Sequence, residues 1–518
     1  MFNNASRTTN AAKASAVGTI CGIINLGIGF FYRSVFLHFL SSSYLGINGL
    51  FTNILQILSF AELGIGGAIS FRLYKPISDG NTEKVGQIMN FFKRVYFLIA
   101  LTISSVGMIL YPFLNLFIKD TSEIPSDINL HFIYVLYLFQ TVSSYICVSP
   151  QMLLAADQKQ YKLTLLQAIS NILKYMVQII VLAFTGSFTL VLLFGIITTL
   201  LMNITISTYV ERRYAEVFSV KCNISSSEKK AIFSDTKATL CHKIGSTVLN
   251  STDSIILSSF VGIVTTGLYS NYSLIVSSLN SVLSQLLGSF TASLGNTHFM
   301  LDENKSYTVY KRLLFANFWI SGLCTTCLLN LISDFISIWL GKDMLLNQSV
   351  IVVICLQFYL ESIRTISTAY TFGSGLFNKD IIRPLIEATL NIVISVIMVI
   401  KIGIAGVFLG TVVSHLLTVT WREPLLLYKY EFKKSVKDYW LMFVKFSVLT
   451  FVISFLISII KGSIHFVCSN ILSWIAEALV CMLIYNVLLL IVFKQSSDLI
   501  FYVDLIKNKL SGYVRARH

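Results

Sequence analysis

About fourteen apolar stretches, each long enough to cross a bilayer, follow one another along this 518-residue chain. They lie near residues 15–38, 45–71, 90–117, 128–150, 162–184, 187–209, 232–258, 262–292, 310–340, 349–372, 382–401, 404–426, 439–460 and 472–493. In hydrocarbon an unpaired backbone group costs several kcal/mol, so such runs fold as helices or as a closed barrel. No alternating strand pattern of about ten residues is present, which selects helices. With 55% apolar and 12% charged residues and a mean hydropathy of +0.74, the chain has too little polar surface for an ordinary soluble fold. The expected fold class is an all-α polytopic membrane protein.

The first six runs are rewritten, with drift, roughly 220 residues later. Lys93-Arg94, which open one run, recur as Lys311-Arg312, and FLNLFIKD ending at Asp120 recurs as FISIWLGKD ending at Asp343. LLAADQKQYKLTLLQAISNIL lies over GSGLFNKDIIRPLIEATLNIV, equating Lys159 with Lys379, Gln167 with Glu387 and Asn171 with Asn391. YRSVFL (32–37) lies over TDSIIL (252–257), and after one inserted residue Gly46 falls on Gly267. Six spans per half give both halves the same orientation, so they are expected as parallel repeats about an axis normal to the membrane. The expected divisions are a six-helix lobe over 1–222, a second over 223–430, and an accessory helix pair with a basic tail over 431–518.

With the N-terminus inside, Arg72, Lys75, Arg212, Arg213, Lys229, Lys230, Lys433 and Lys434 fall on the cytoplasmic side. Lys119, Lys342, Lys401 and Lys461 fall on the other. This asymmetry follows the positive-inside rule, and it accounts for the net charge of +14 without a nucleic-acid partner. Both termini are then expected in the cytoplasm. No cleavable signal is evident.

The motifs of enzymatic chemistry are missing. There is no phosphate-binding G-x-x-x-x-G-K-[ST] loop, no D-x-D pair and no H-E-x-x-H. Cys324 and Cys327 form a C-x-x-C inside an apolar run without a second pair, which reads as two packed thiols rather than a metal site. No cofactor is expected beyond coupling to a proton or sodium gradient.

Ionisable residues inside the runs carry more information, since each costs roughly 2.5 kcal/mol or more at a helix centre unless it faces protein or water. Asn25, Gly29 and Arg33 share one face of the first span. Lys243, Asn250 and Asp253 share a face of the seventh, with Asp253 at the repeat position of Arg33. Arg33 and Asp253 are therefore candidates for an outer gate closed by an ion pair; the alternative is local pairing or snorkelling. Glu62 sits about 15 Å from the cytoplasmic edge at 1.5 Å per residue, as does Lys243 from the opposite direction, so the two form a second candidate set. An ammonium there suits a phosphate-bearing substrate, and the carboxylate could carry a coupling cation. Lys174 stands alone in mid-span. Glu361 with Arg364, and Arg383 with Glu387, are spaced as locally satisfied pairs. His415 reads as a neutral core imidazole, and Glu477 as lying near a helix end.

FAELGIGGAISFRLYKP (60–76), HKIGSTVLNSTDSIILSSFVG (242–262) and TGLYSNYSLI (266–275) together resemble bacterial polysaccharide-biosynthesis membrane proteins. These are the Wzx-type oligosaccharide flippases of the multidrug/oligosaccharidyl-lipid/polysaccharide exporter superfamily. The resemblance implies two six-helix lobes around a V-shaped central cavity lined by the first, second, seventh and eighth helices. It places Arg33, Glu62, Lys243, Asn250 and Asp253 there. It also implies the substrate, an undecaprenyl-diphosphate-linked repeat unit moved to the outer leaflet of the cytoplasmic membrane for capsule, exopolysaccharide or O-antigen assembly. Polymerase and chain-length proteins of that pathway are the implied partners. A multidrug antiporter and a lipid II flippase are the alternatives within the fold. A glycan polymerase or ligase is disfavoured because no sizeable external loop exists.

Overall fold

The computed structural model describes residues 7–59, 65–222, 224–298, 303–464 and 470–515. They are helical almost throughout, with no strand among them. The first eight helices are α1 (Arg7–Phe39), α2 (Ser42–Leu58), α3 (Ile65–Ser78), α4 (Thr82–Leu110), α5 (Leu130–Ala156), α6 (Gln160–Thr185), α7 (Phe188–Arg213) and the short α8 (Ala215–Ser219). Eight more follow in similar order: α9 (Ser226–Phe260), α10 (Ile263–His298), α11 (Glu303–Leu340), α12 (Gln348–Ser362), α13 (Thr365–Gly373), α14 (Arg383–Ile402), α15 (Ile404–Leu417) and α16 (Val419–Leu426). The chain closes with α17 (Lys437–Ile464), α18 (Ile471–Phe493) and α19 (Ser497–Arg515).

Local sequence sets many of these boundaries. The side chains of Asn81 and Asn129 accept from the backbone N–H of Lys84 and Phe132, at 2.9 and 3.1 Å, and cap α4 and α5. Ser225 and Glu228 form a capping box at the head of α9. Gly186, at φ +61°, closes α6 with the left-handed turn that glycine permits.

Eleven helical segments among the described residues are long and apolar enough to cross a membrane, so this is a multi-pass membrane protein. The second, seventh and eighth of the fourteen stretches do not meet that measure. The second is not one continuous helix: α2 ends at Leu58 and α3 starts at Ile65. The seventh and eighth are α9 and α10, which carry Ser, Thr and Asn along their length. A helix too polar for lipid must set that polarity against protein or water, so these segments are suited to an interior role. Two other stretches read as single spans are also broken. The tenth divides into α12 and α13 beside Arg364, and the twelfth into α15 and α16 at Thr418. The basic tail is itself helical as α19.

By packing, the chain forms two compact units, Met1–Asn271 with Asp380–Gly410, and Tyr272–Lys379 with Thr411–His518. In the first, α1 lies on α6, α4 on α5, and α5 on α7, while α9 packs against α2, α3 and α14. Its core includes Phe51 against Tyr134, whose hydroxyl donates to the Gly107 carbonyl at 2.8 Å. At the turn between α5 and α6, Lys159 and the Tyr214 hydroxyl both meet the buried Asp157 carboxylate. Burial, and then Asp157, push the Tyr214 hydroxyl above its ordinary range.

One contact in this unit has the reciprocity of a two-fold axis. A Cβ added to Gly46 on α2 would strike the carbonyl oxygen of Ile263, and one added to Gly267 on α10 would strike that of Ser42. The same displacement of 221 residues relates Gly46 to Gly267 and Ser42 to Ile263. Each repeat therefore presents its glycine to the first-turn carbonyl of the other. Small residues allow this approach where lipid offers no hydrophobic drive for helix pairing.

In the second unit α11 is the hub for α12, α17 and α18. Phe318 stacks on Phe446 at 5.5 Å, and Trp319 Nε1 donates to Asn486 at 2.9 Å. Lys461 joins α17 to Asp334 on α11 and, at 2.6 Å, to Glu477 on α18. Glu477, in the second turn of α18, is thus a buried ion-pair partner.

Candidate functional site

Arg33 lies in the apolar span Ala16–Phe39, where an unsatisfied guanidinium is not tolerated. Its Nη1 donates to Ser270 Oγ at 2.7 Å and to Asn271 Oδ1 at 3.0 Å, both on α10. Ser270 is in turn tied back to the Gly267 carbonyl at 2.7 Å. The close approach at Gly46 and Gly267 brings α10 to α2 one turn before these two residues. Asn271 is fully buried, yet its Nδ2 has no hydrogen-bond partner among the described residues. The same holds for Asn25 Oδ1 and Ser251 Oγ.

Beside Arg33 the rings of Tyr32 on α1 and Tyr175 on α6 stand 4.9 Å apart, and Lys174 Nζ lies 4.6 Å from the Tyr175 ring centroid. The π-face attracts the ammonium without discharging it. Among the described residues neither Arg33 nor Lys174 meets a carboxylate. Two cations in membrane spans of one unit are therefore held by neutral and aromatic groups.

Polarity continues on α9. Lys243, Ser246 and Asn250, spaced three and four residues apart, are all exposed and form one stripe of the helix. On a helix too polar to face lipid, such a stripe suits a watery space. Asp253, read on the same face, is instead buried at 3% exposure. The bonds of Arg33 run to Ser270 and Asn271 and not to Asp253, so the ion-paired outer gate is not formed in this structure. Glu62, the intended companion of Lys243, lies outside the described residues.

Other charges in the interior are paired. Arg364, spaced to meet Glu361, has its closest ion pair elsewhere. It pairs with Glu423 on α16 at 3.2 Å, and Thr368 donates to the same carboxylate at 3.0 Å. The end of α12 at Ser362 accounts for this, since Arg364 stands at the break before α13. Glu361 accepts from Gln357 at 3.2 Å and from Asn280 at 3.5 Å, with His415 Nε2 at 3.7 Å. Arg383 does pair with Glu387, at 2.5 Å, and also with Asp380 at 2.6 Å. Cys324 and Cys327 are free thiols. Among the described residues no group of His, Cys, Asp and Glu has the make-up of a metal site.

Tyr32, Tyr175, Ser270 and Asn271 were not singled out from the sequence. Asn271 does fall in the TGLYSNYSLI stretch, but nothing in its spacing names Arg33, 238 residues earlier, as its partner.

No protein-family model and no curated protein matches the chain. Solved structures do. A lipid II flippase, MurJ, in an inward closed conformation is 16% identical with a TM-score of 0.66, covering 93% of this chain and 99% of that one. An inward-facing multidrug resistance MATE transporter of the MOP superfamily is 13% identical with a TM-score of 0.60, covering 80% and 98%. At these identities the likeness establishes the fold alone, which this chain shares with both transporters.

Proposed function

We propose that this protein is a flippase for a lipid-linked anionic oligosaccharide. The substrate in this reading is an undecaprenyl-diphosphate repeat unit, carried from the inner to the outer leaflet of a bacterial cytoplasmic membrane for surface glycan assembly. The observation that carries the reading is the pair Arg33 and Lys174, which lie in membrane spans and meet no carboxylate among the described residues. A buried cation without a counter-ion is costly, and the natural remedy is an anionic ligand. A diphosphate supplies that charge and accepts the forked donors of a guanidinium.

Flipping needs no covalent chemistry. Moving an isolated charged head group through hydrocarbon costs tens of kcal/mol by Born solvation, and a polar cavity removes most of that barrier. In the proposed cycle Arg33 and Lys174 bind the diphosphate, and the stripe of Lys243, Ser246 and Asn250 on α9 offers donors to sugar hydroxyls. Alternating access then exposes the head group to each face in turn, while the prenyl chain stays in lipid. Both termini are placed in the cytoplasm, and polymerase and chain-length proteins are the proposed partners downstream. The shared fold of lipid II flippases and multidrug transporters supports a transporter of this general kind.

A multidrug exporter is the second reading, and the unneutralised cations disfavour it for cationic drugs. Deleting the gene in its own host distinguishes the two. Loss of surface glycan with unchanged drug tolerance supports the flippase, whereas intact glycan with heightened drug sensitivity refutes it.

A further inference from the structure

The motif K-R-x-x-F occurs at Lys93–Phe97 on α4 and again at Lys311–Phe315 on α11, and its two copies have different surroundings. In the second copy protein covers it. The ring of Phe501 from α19 lies 3.7 Å from the Arg312 guanidinium carbon, and Tyr502 donates to the Arg312 carbonyl at 3.0 Å. Phe315, at 3% exposure, is enclosed by Phe446 and Phe493 from α17 and α18. Among the described residues the first copy has no such cover. Phe97 is 62% exposed, and Lys93 and Arg94 have no ion-pair or hydrogen-bond partner among the described residues.

Here the surface is hollowed into a cavity of about 480 Å³ between α4 and α5. Lys93 and Arg94 line it together with Phe97, Leu98, Ile146 and Ser149. Tyr96 and Tyr145, both buried, complete it. The two cations stand where the polar start of α4 gives way to its apolar run, which is the level of lipid head groups. Leu98 and Ile146 are 60% and 61% exposed, so the wall continues as a hydrocarbon surface.

We propose that this groove is a binding site for one acidic phospholipid. Its phosphate sits on Lys93 and Arg94, and an acyl chain lies along Phe97, Leu98 and Ile146. The lipid takes the place that α17, α18 and α19 take on the other copy of the motif. Charge commits the occupant: two adjacent cations without a carboxylate favour an anionic head group over a zwitterionic one. The site is separate from the proposed substrate site, and it holds whatever substrate the protein carries.

The test is native mass spectrometry of the full-length protein, extracted in mild detergent from vesicles of phosphatidylcholine and phosphatidylglycerol in equal amounts. The expected result is one retained phosphatidylglycerol in preference to phosphatidylcholine. Lys93→Gln and Arg94→Gln, both at exposed positions, should each lower its occupancy about five-fold, the worth of one interfacial cation. Phe97→Ala should also lower retention, by shortening the wall. The proposal is overturned if the two lipids are retained equally or if occupancy is unchanged in both charge variants. It also fails if millimolar inorganic phosphate displaces the lipid, which would mark a phosphate site, or if a second copy of the chain occupies the groove.

Discussion

Arg33→Ala is expected to reduce translocation of the lipid-linked glycan at least about 10-fold while leaving the protein in the membrane at normal level. A hydrogen bond to a charged group contributes about 1.5–3 kcal/mol, and a guanidinium offers a diphosphate two such bonds. Even one lost bond at the lower figure corresponds to about an order of magnitude. Folding should tolerate the change, because the groups left behind are the neutral Ser270 and Asn271, and Ser270 retains its bond to Gly267. Arg33→Lys keeps the charge but not the fork, so it should fall between wild type and Arg33→Ala. Lys174→Ala should show a smaller loss, since an ammonium offers a diphosphate a point charge without the guanidinium's fork. Surface glycan, measured beside membrane abundance of each variant, checks the series. Normal glycan in Arg33→Ala at normal abundance would remove this residue from the mechanism.

The second large effect is structural. Gly46→Ala and Gly267→Ala each drive a methyl group into a backbone carbonyl of the facing helix, which no rotamer change relieves. Overpacking of this kind costs about 1–3 kcal/mol, and more where backbone must move. The thermal unfolding midpoint should fall by a similar amount in each variant, because the two contacts are reciprocal. In the double variant the loss should be less than the sum, since the first methyl group already separates α2 from α10. Gly27→Ala is the internal control, as nothing lies within 4 Å of its added Cβ. An unchanged midpoint in both single variants would contradict the close approach.

Much of the fold could be read from the sequence, because lipid admits only helices and twenty apolar residues set their length. Each expected stretch overlaps an observed helix, although three are broken. What escaped was detail that depends on packing. The break beside Arg364 turned its expected partner Glu361 into Glu423, fifty-nine residues later. Arg383 with Glu387 survived, since four residues on an unbroken helix fix that pair. The Lys243, Asn250 and Asp253 face divided for a similar reason: helical spacing gives direction about the axis, but neighbouring helices decide which side is covered. The glycine repeat was legible as a match and silent about contact; only the structure shows Gly46 and Gly267 facing each other.

The most direct measurement uses purified protein in proteoliposomes carrying a short-chain prenyl-diphosphate oligosaccharide with a fluorescent sugar, read by a membrane-impermeant quencher. In protein-free vesicles the fraction quenched should stay near one half, the outer leaflet alone. Wild-type protein should raise it toward completeness as lipid from the inner leaflet is delivered outward, and Arg33→Ala should slow that phase at least about 10-fold. A wild-type trace matching empty vesicles, with or without a proton or sodium gradient, would contradict the account at its centre.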